Sequence, residues 1–239
     1  MKPRSLALAL GTALWGVALT GLAGPPAGDK PNVLFLMADD LRPELGCYGA
    51  GHVISPNIDR LAKRGRMFER AYCQQALCNP SRASMLTGLR PDSLGIWNLP
   101  THLRQRRPGI VTLPQHFRNN GYLTLGTGKL FHAHTFFDKK NLSGYPDPDA
   151  WEDYFPSKTQ QMPGEAVPEK WPVNGSRMFY GGHFDWAPLQ IPNTEMADAK
   201  VVSWAAQQLA KRHEQPLFLS VGIYRPHVPW YAPQKYFDR

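Results

Sequence analysis

An α/β domain built on a largely parallel sheet is the fold class this sequence predicts, and two observations carry the prediction. Short apolar runs with the length of buried strands, NVLFLMADD at 32–40, YLTLGTG at 122–128 and PLFLSVGIY at 216–224, alternate with segments of helical periodicity. Polar clusters follow these strands at comparable places, and ligands gather outside the carboxyl ends of strands in open α/β sheets. With 239 residues, 42% of them hydrophobic, the chain is long enough to bury a core.

The elements read in order as follows. Residues 1–23 have a basic start at Lys2 and Arg4, an apolar run from Leu6 to Leu19 and small residues ending at Ala23. That pattern predicts a secretory signal peptide, too short in its apolar part for a bilayer span. Residues 24–30 form a Gly/Pro linker, and 31–239 form the folded domain. The first strand is expected to be buried on both faces and to end in Asp39 and Asp40. SPNIDRLAKRG, 55–65, predicts a helix with Ser55 as cap, Pro56 at its first position and Gly65 as stop. RMFERAYC, 66–73, is a candidate strand. CNPSRASMLTG, 78–88, predicts a helix with Pro80 in its first turn and Gly88 at its end. TLPQHFRNNG, 112–121, is a further helix with Thr112 as cap. From Lys129 to about Pro192 the chain is rich in Pro, Gly and aromatics without periodicity, which reads as functional surface. Ala197, Val201, Trp204, Ala205 and Leu209 then mark the buried stripe of a last helix.

The formal net charge is +8, and losing Lys2 and Arg4 with the signal lowers it by two to +6. No Lys/Arg-rich tract accompanies it, so the balance points away from nucleic acid and towards a soluble polyanion or an anionic small molecule, or to charge spread for solubility. No later segment is apolar enough for a stable membrane anchor, so the mature chain is expected to be exported, to a periplasmic, secreted or lysosome-like compartment. Export favours disulfides. The cysteines number three, so at least one of Cys47, Cys73 and Cys78 has another fate.

Adjacent carboxylates at a strand end repel unless a cation sits between them, and a hard divalent ion is the usual answer. Asp39 and Asp40 can share such an ion only where the strand breaks, because neighbours in a regular strand face opposite ways. The alternative is a capping acid beside a solvated one. Cys78 stands at a helix mouth, where unpaired N–H groups and the positive dipole end favour anions and acidify thiols. Its thiol is open to four readings: nucleophile, metal ligand, disulfide partner of Cys73 or inert packing. Arg82, about one turn on, is placed for a forked contact to a tetrahedral oxyanion. A thiol phosphatase loop is excluded because position 84 is Ser where Arg is needed. The GTGK at 126–129 is not a nucleotide loop, since Leu130 follows the lysine. Lys129, His132 and His227 gain weight from their joint placement after strands, whereas His134 and His183 remain surface candidates.

The cluster C-x-P-S-R followed by L-T-G, with Asp-Asp after an earlier strand and a downstream Gly-Lys-x-x-His, resembles the type I sulfatases of the alkaline-phosphatase superfamily. The resemblance runs from Pro31 to the end of the chain. Lys129 and His132 separated by two residues, DDLRPELGCYG at 39–49 and RPHVP at 225–229 look like the iduronate-2-sulfatase branch. The resemblance implies an alkaline-phosphatase-like fold and hydrolysis of a sulfated carbohydrate. It also implies oxidation of Cys78 to formylglycine by a maturation enzyme acting on exported chains, and Ca2+ held by Asp39, Asp40 and the modified residue 78. By the same likeness Arg82 holds the formylglycine and metal region together, Lys129 and His227 contact the sulfate and His132 serves the nucleophile. A hydrated aldehyde would supply one hydroxyl to attack sulfur and a second to expel the sulfate by elimination.

The family's second pair of metal ligands, an Asp-His or Asp-Asn followed by Gly, has no counterpart in this sequence. The sequence is therefore expected to be the N-terminal part of a sulfatase domain, with calcium short of its usual oxygen ligands. The competing expectations are a non-catalytic remnant and a phosphoester or phosphonate hydrolase of the same superfamily.

Overall fold

The structure, a computed structural model, describes residues 30–132, 147–157, 160, 162, 166–178 and 183–238. The expected signal peptide, most of the linker, His134 and the ring of His183 lie outside the described residues. Pro31–Arg239 form one compact unit. In chain order its elements are β1 (Val33–Ala38), α1 (Pro56–Arg64), α2 (Cys78–Thr87), α3 (Pro91–Leu94), α4 (Leu103–Arg106), α5 (Leu113–Asn119), β2 (Leu123–Gly128) and β3 (Asp153–Phe155). They continue with β4 (Ser176–Arg177), β5 (His183–Phe184), β6 (Trp186–Leu189), α6 (Ala197–Leu209), β7 (Leu217–Ile223) and β8 (Trp230–Pro233).

β1, β7, β2 and β3 form a parallel sheet in that order. β7 is central, and its two faces feed two cores. Phe218 packs with Ala83, Leu86, Leu94 and Tyr154 on the side of α2 and α3. Leu217, Leu219 and Val221 pack with Val201, Trp204 and Ala205 of α6 on the other. The predicted layering of helices on both faces of a parallel sheet is the observed one.

The sequence expectations fail in four places, each with a physical reason. β1 is not buried on both faces: Val33, Phe35 and Met37 pack inward, while Leu34 and Leu36 are 47% and 58% exposed. Leu34 and Leu36 pair with Leu219 and Val221 and so share their face of the sheet, but β1 is an edge strand that α6 does not cover. Residues 66–73 form no strand and expose Phe68 and Tyr72. A segment becomes a strand only where it pairs with a neighbour's backbone, and residues 66–73 pair with none of the described strands. In α6 the buried residues are Val201, Trp204, Ala205 and Gln208, with Leu209 half exposed. That is an i, i+3, i+4, i+7 face, which displaces the expected Leu209. Ser55 and Thr112 occupy cap positions without capping: Ser55 Oγ donates to Asp59 Oδ1 at 2.9 Å and Thr112 Oγ1 to Asp147 Oδ2 at 2.6 Å.

Candidate active site

The carboxyl ends of β1, β2 and β7 and the first turn of α2 meet at one place. β1 stays in the ladder through the Asp39 N–H, which donates to Ile223 O at 3.0 Å. Asp40 then turns to a φ of 55°, a left-handed conformation that aspartate tolerates better than most residues. This break lets both carboxylates approach one point. His227 Nε2 lies 4.0 Å from Asp39 Oδ2 and 3.9 Å from Asp40 Oδ2. Asp39 is buried and Asp40 exposed.

A pair of glycines delivers Lys129. Gly128 ends β2 at a φ of 73°, and a Cβ there would stand 1.9 Å from Gly222 O. A Cβ on Gly222 would stand 2.2 Å from Lys129 O. Only glycine at both positions lets the chain press against β7, where the Lys129 N–H donates to Gly222 O at 2.9 Å. Lys129 Nζ then donates to Asp39 Oδ2 and lies 5.9 Å from the centre of the Tyr224 ring, within reach of its π face. Sequence reading missed the two glycines. Their signal, Gly-Lys at one strand end and a glycine near the next, is readable only once the strands are known to be neighbours.

α2 opens at Cys78, whose Sγ lies 3.9 Å from Asp39 Oδ1 and 4.0 Å from Lys129 Nζ. Arg82 sits one turn later, buried to 5% exposure. Its fork is directed at protein groups: Nη2 donates to Asp39 Oδ1 at 2.5 Å, and Nη1 donates to Lys129 O at 2.5 Å and Leu130 O at 3.0 Å. The expectation that Arg82 is free to grip an oxyanion is thereby corrected. Its burial leaves it to join α2, β1 and the turn after β2. Asn79 does similar work for the flank, donating to Asn98 O at 2.9 Å and Thr101 O at 2.8 Å.

Two loops finish the arrangement. Asp198, near the start of α6, accepts the backbone N–H groups of Tyr224 and Arg225 at 2.8 and 2.9 Å, fixing the chain as it leaves β7. His227 Nδ1 contacts Val228 O at 2.7 Å, which directs Nε2 to the carboxylates. His132 lies three residues beyond Lys129 and is half-buried, placed by its chain position. The structure thus brings together Asp39, Asp40, Cys78, Arg82, Lys129 and His227.

Electrostatics follow from this packing. Burial opposes ionisation of Asp39, but the Arg82 charge and the hydrogen bonds from Lys129 and Arg82 outweigh it and hold the carboxyl below its ordinary range. Burial pushes the Cys78 thiol up despite Lys129, and Asp39 and Asp40 add to the rise. The net direction is opposite to the acidification expected of a thiol at a helix mouth. All three cysteines are free, so neither a Cys73–Cys78 nor a Cys47–Cys73 bond is present.

Asp39, Cys78 and His227 each offer a ligand atom within 4.8 Å of the others. Carboxylate oxygens from Asp39 and Asp40 suit a hard cation such as calcium, whereas thiolate sulfur suits a softer metal. The donor set fits calcium in kind where residue 78 presents oxygen. Two carboxylates remain well short of the six to eight oxygens calcium takes.

Fold and site together define an α/β protein that concentrates charge at the carboxyl ends of its strands. The chain belongs to the sulfatase family, matching the family described as Sulfatase over residues 31–239. It is 36% identical over 227 residues to a sulfatase of Formosa agariphila, covering 88% of this chain and 42% of that one. It is also 36% identical over 217 residues to the iduronate 2-sulfatase of Homo sapiens, covering 87% of this chain and 37% of that one. Among solved structures, the phosphonate monoester hydrolase of Agrobacterium radiobacter shares the fold at a TM-score of 0.60 and 21% identity, covering 87% of this chain and 43% of that one. The predicted alkaline-phosphatase-like fold is the observed one. The chain spans less than half the length of the curated relatives it matches.

Proposed function

We propose that this chain carries the sulfate-handling half of a sulfuric ester hydrolase acting on a sulfated carbohydrate, in the manner of an iduronate 2-sulfatase. The observation that supports it most is the convergence of Lys129 and His227 beside Cys78 on the buried Asp39 carboxylate. Residue 78 would act as formylglycine, which when formed and hydrated would supply an oxygen nucleophile. Asp39 and Asp40 hold calcium, which when bound supplies positive charge to offset that of the sulfate ester oxygens.

The remaining roles belong to the chain's own side chains. Lys129 presents its N–H groups to the sulfuryl oxygens, and His227 donates from Nε2 in its imidazolium form, so that both stabilise the charge that grows on them. His132 would serve the hydroxyls of the modified residue 78 as proton acceptor. Arg82 holds Asp39 and the Lys129–Leu130 carbonyls in register, so that the groups facing the substrate do not reorganise. Maturation requires a formylglycine-generating enzyme, and the expected signal at 1–23 takes the chain to an exported compartment.

The test is a comparison of substrates on the full-length enzyme containing this segment, with formylglycine installed. Sulfated uronic acid saccharides are expected to turn over far faster than phosphomonoesters. Preference for the phosphate ester would replace the reading with a phosphoester hydrolase.

A further inference from the structure

His227 stands on a strap, residues 224–230, that runs from the end of β7 to the start of β8, and the two ends of the strap are tied differently. The far end is held by a ladder. Trp230 opens β8, which pairs with β6; its backbone N–H donates to Asp185 O at 2.8 Å, and its indole N–H donates back to Pro226 O at 2.6 Å. The near end has left its ladder. β7 pairs with β1 as far as Ile223, whose carbonyl accepts the Asp39 N–H at 3.0 Å. The next two N–H groups, those of Tyr224 and Arg225, both turn to Asp198, to Oδ1 at 2.8 Å and Oδ2 at 2.9 Å.

Successive residues of a regular strand face opposite ways, so one carboxylate that takes two N–H groups in a row fixes the point at which the chain turns out of the sheet. Asp198 belongs to the first turn of α6, where an acid ordinarily serves the unpaired N–H groups and the dipole of its own helix. Here both of its oxygens serve the strap instead. The base it stands on is firm: Val201, one turn on, is fully buried, and a Cβ on Gly128 would stand 3.0 Å from its Cγ1. From that root the place of the imidazole follows in two steps. The His227 N–H donates to Tyr224 O at 3.0 Å, and Nδ1 contacts Val228 O at 2.7 Å, which sets Nε2 4.0 Å from Asp39 Oδ2 and 3.9 Å from Asp40 Oδ2.

We propose that Asp198 is a positioning residue for His227, acting on the sulfate ester only through where it sets the imidazole. The proposal rests on the sulfatase reading above, which gives His227 its role at the sulfuryl oxygens, and adds to it a residue from outside the cluster around Cys78. A donor stabilises growing charge only while it is held at hydrogen-bond distance from the oxygen that bears it. Loosening the root of the strap therefore takes away the contribution of Nε2 while leaving the imidazole in the protein. A carboxylate that merely ties two elements of the fold together would behave otherwise, because its loss would be felt equally with His227 present or absent.

The experiment is a double-mutant cycle on the full-length enzyme containing this segment, with formylglycine installed: wild type, Asp198→Ala, His227→Ala and the two together, with Asp198→Asn as the conservative variant. kcat/KM is measured on a sulfated uronic acid saccharide with enzyme in excess, so that slow variants stay measurable, and folding is followed by chemical denaturation. Asp198→Ala is expected to lower kcat/KM by about a hundredfold, the cost of a misplacement of about 1 Å, in an enzyme that stays folded. Asp198→Asn keeps one acceptor oxygen and should lose less. In the His227→Ala background the same Asp198→Ala change should cost no more than about twofold, since the group through which it acts is gone. Equal losses in the two backgrounds would overturn the proposal and leave the sulfatase reading standing, and so would wild-type kcat/KM in Asp198→Ala. If Asp198→Ala does not fold, Asp198→Asn takes its place in the cycle, and equal losses overturn the proposal in the same way. No turnover of the sulfated saccharide by the wild type would overturn the sulfatase reading and the proposal together.

Discussion

Asp39 and Asp185 are both buried carboxylates held below their usual titration range, and opposite kinds of partner hold them. Asp39 faces cations drawn from separate elements, Arg82 of α2 and Lys129 after β2, with the His227 imidazole after β7 at 4.0 Å. At Asp185 burial opposes ionisation, and the Tyr231 hydroxyl with the N–H groups of Val173, Asn174 and Gly175 overcomes it. These donors are neutral. The difference separates a site from a joint, because a cage of full charges can turn some of them towards an incoming anion or cation, whereas a cage of satisfied neutral donors has no charge to lend. A buried acid is therefore weak evidence of chemistry until its partners are known.

The largest expected effect comes from breaking the charged cage. Arg82→Leu leaves Asp39 with one cation fewer and strips two carbonyls of their donor, so a stability loss of about 3–5 kcal/mol is expected in chemical denaturation. Inorganic sulfate binding should disappear with it. Arg82→Lys should recover only part of both, because an ammonium cannot fork between a carboxylate and two carbonyls. Retention of wild-type stability by Arg82→Leu would mean that Asp39 does not depend on this pair.

A smaller effect is expected at the neutral cage. Asp185→Asn should lower the denaturation midpoint and leave inorganic sulfate affinity unchanged, and an equal loss of sulfate affinity in the two variants would erase the distinction drawn above. pH sharpens it. Burial and the Asp185 carboxylate push the Tyr231 hydroxyl up from 10.0 to about 12, so the folded state holds this proton more tightly than the unfolded chain does. Its contribution to stability is fully present below pH 10.0 and lost as pH rises to about 12. The Asp185 carboxyl has the opposite sign: its contribution is present above the ordinary carboxylate range and fades as pH falls through and below it. Tyr231→Phe should flatten the alkaline limb measured by thermal unfolding.

Much of the fold was legible because it is written in contiguous residues. The run that became β1 is unbroken and apolar, those of β2 and β7 are short and bounded by turn residues, and α2 begins and ends where Cys78, Pro80 and Gly88 indicate. The site was legible for the same reason, since Asp39, Lys129 and His227 each follow a strand. What stayed hidden depends on which strands become neighbours. The burial of β1 turned on its edge position, and β3 has only three residues, Asp153–Phe155, which carry no period of their own. The mutual requirement of Gly128 and Gly222 and the facing of Trp186 by Trp230 join positions far apart in the chain. Arg82 was correctly placed in sequence, but its partners were not legible, because Asp39 and the carbonyls of Lys129 and Leu130 reach it only through the tertiary fold.

The most direct measurement is mass spectrometry of the peptide containing Cys78, taken from the exported chain co-produced with a formylglycine-generating enzyme. Conversion of residue 78 to the aldehyde is the predicted result, with no conversion in Cys78→Ala. Unmodified thiol throughout the wild-type sample would contradict the oxygen nucleophile on which the proposed sulfatase chemistry depends.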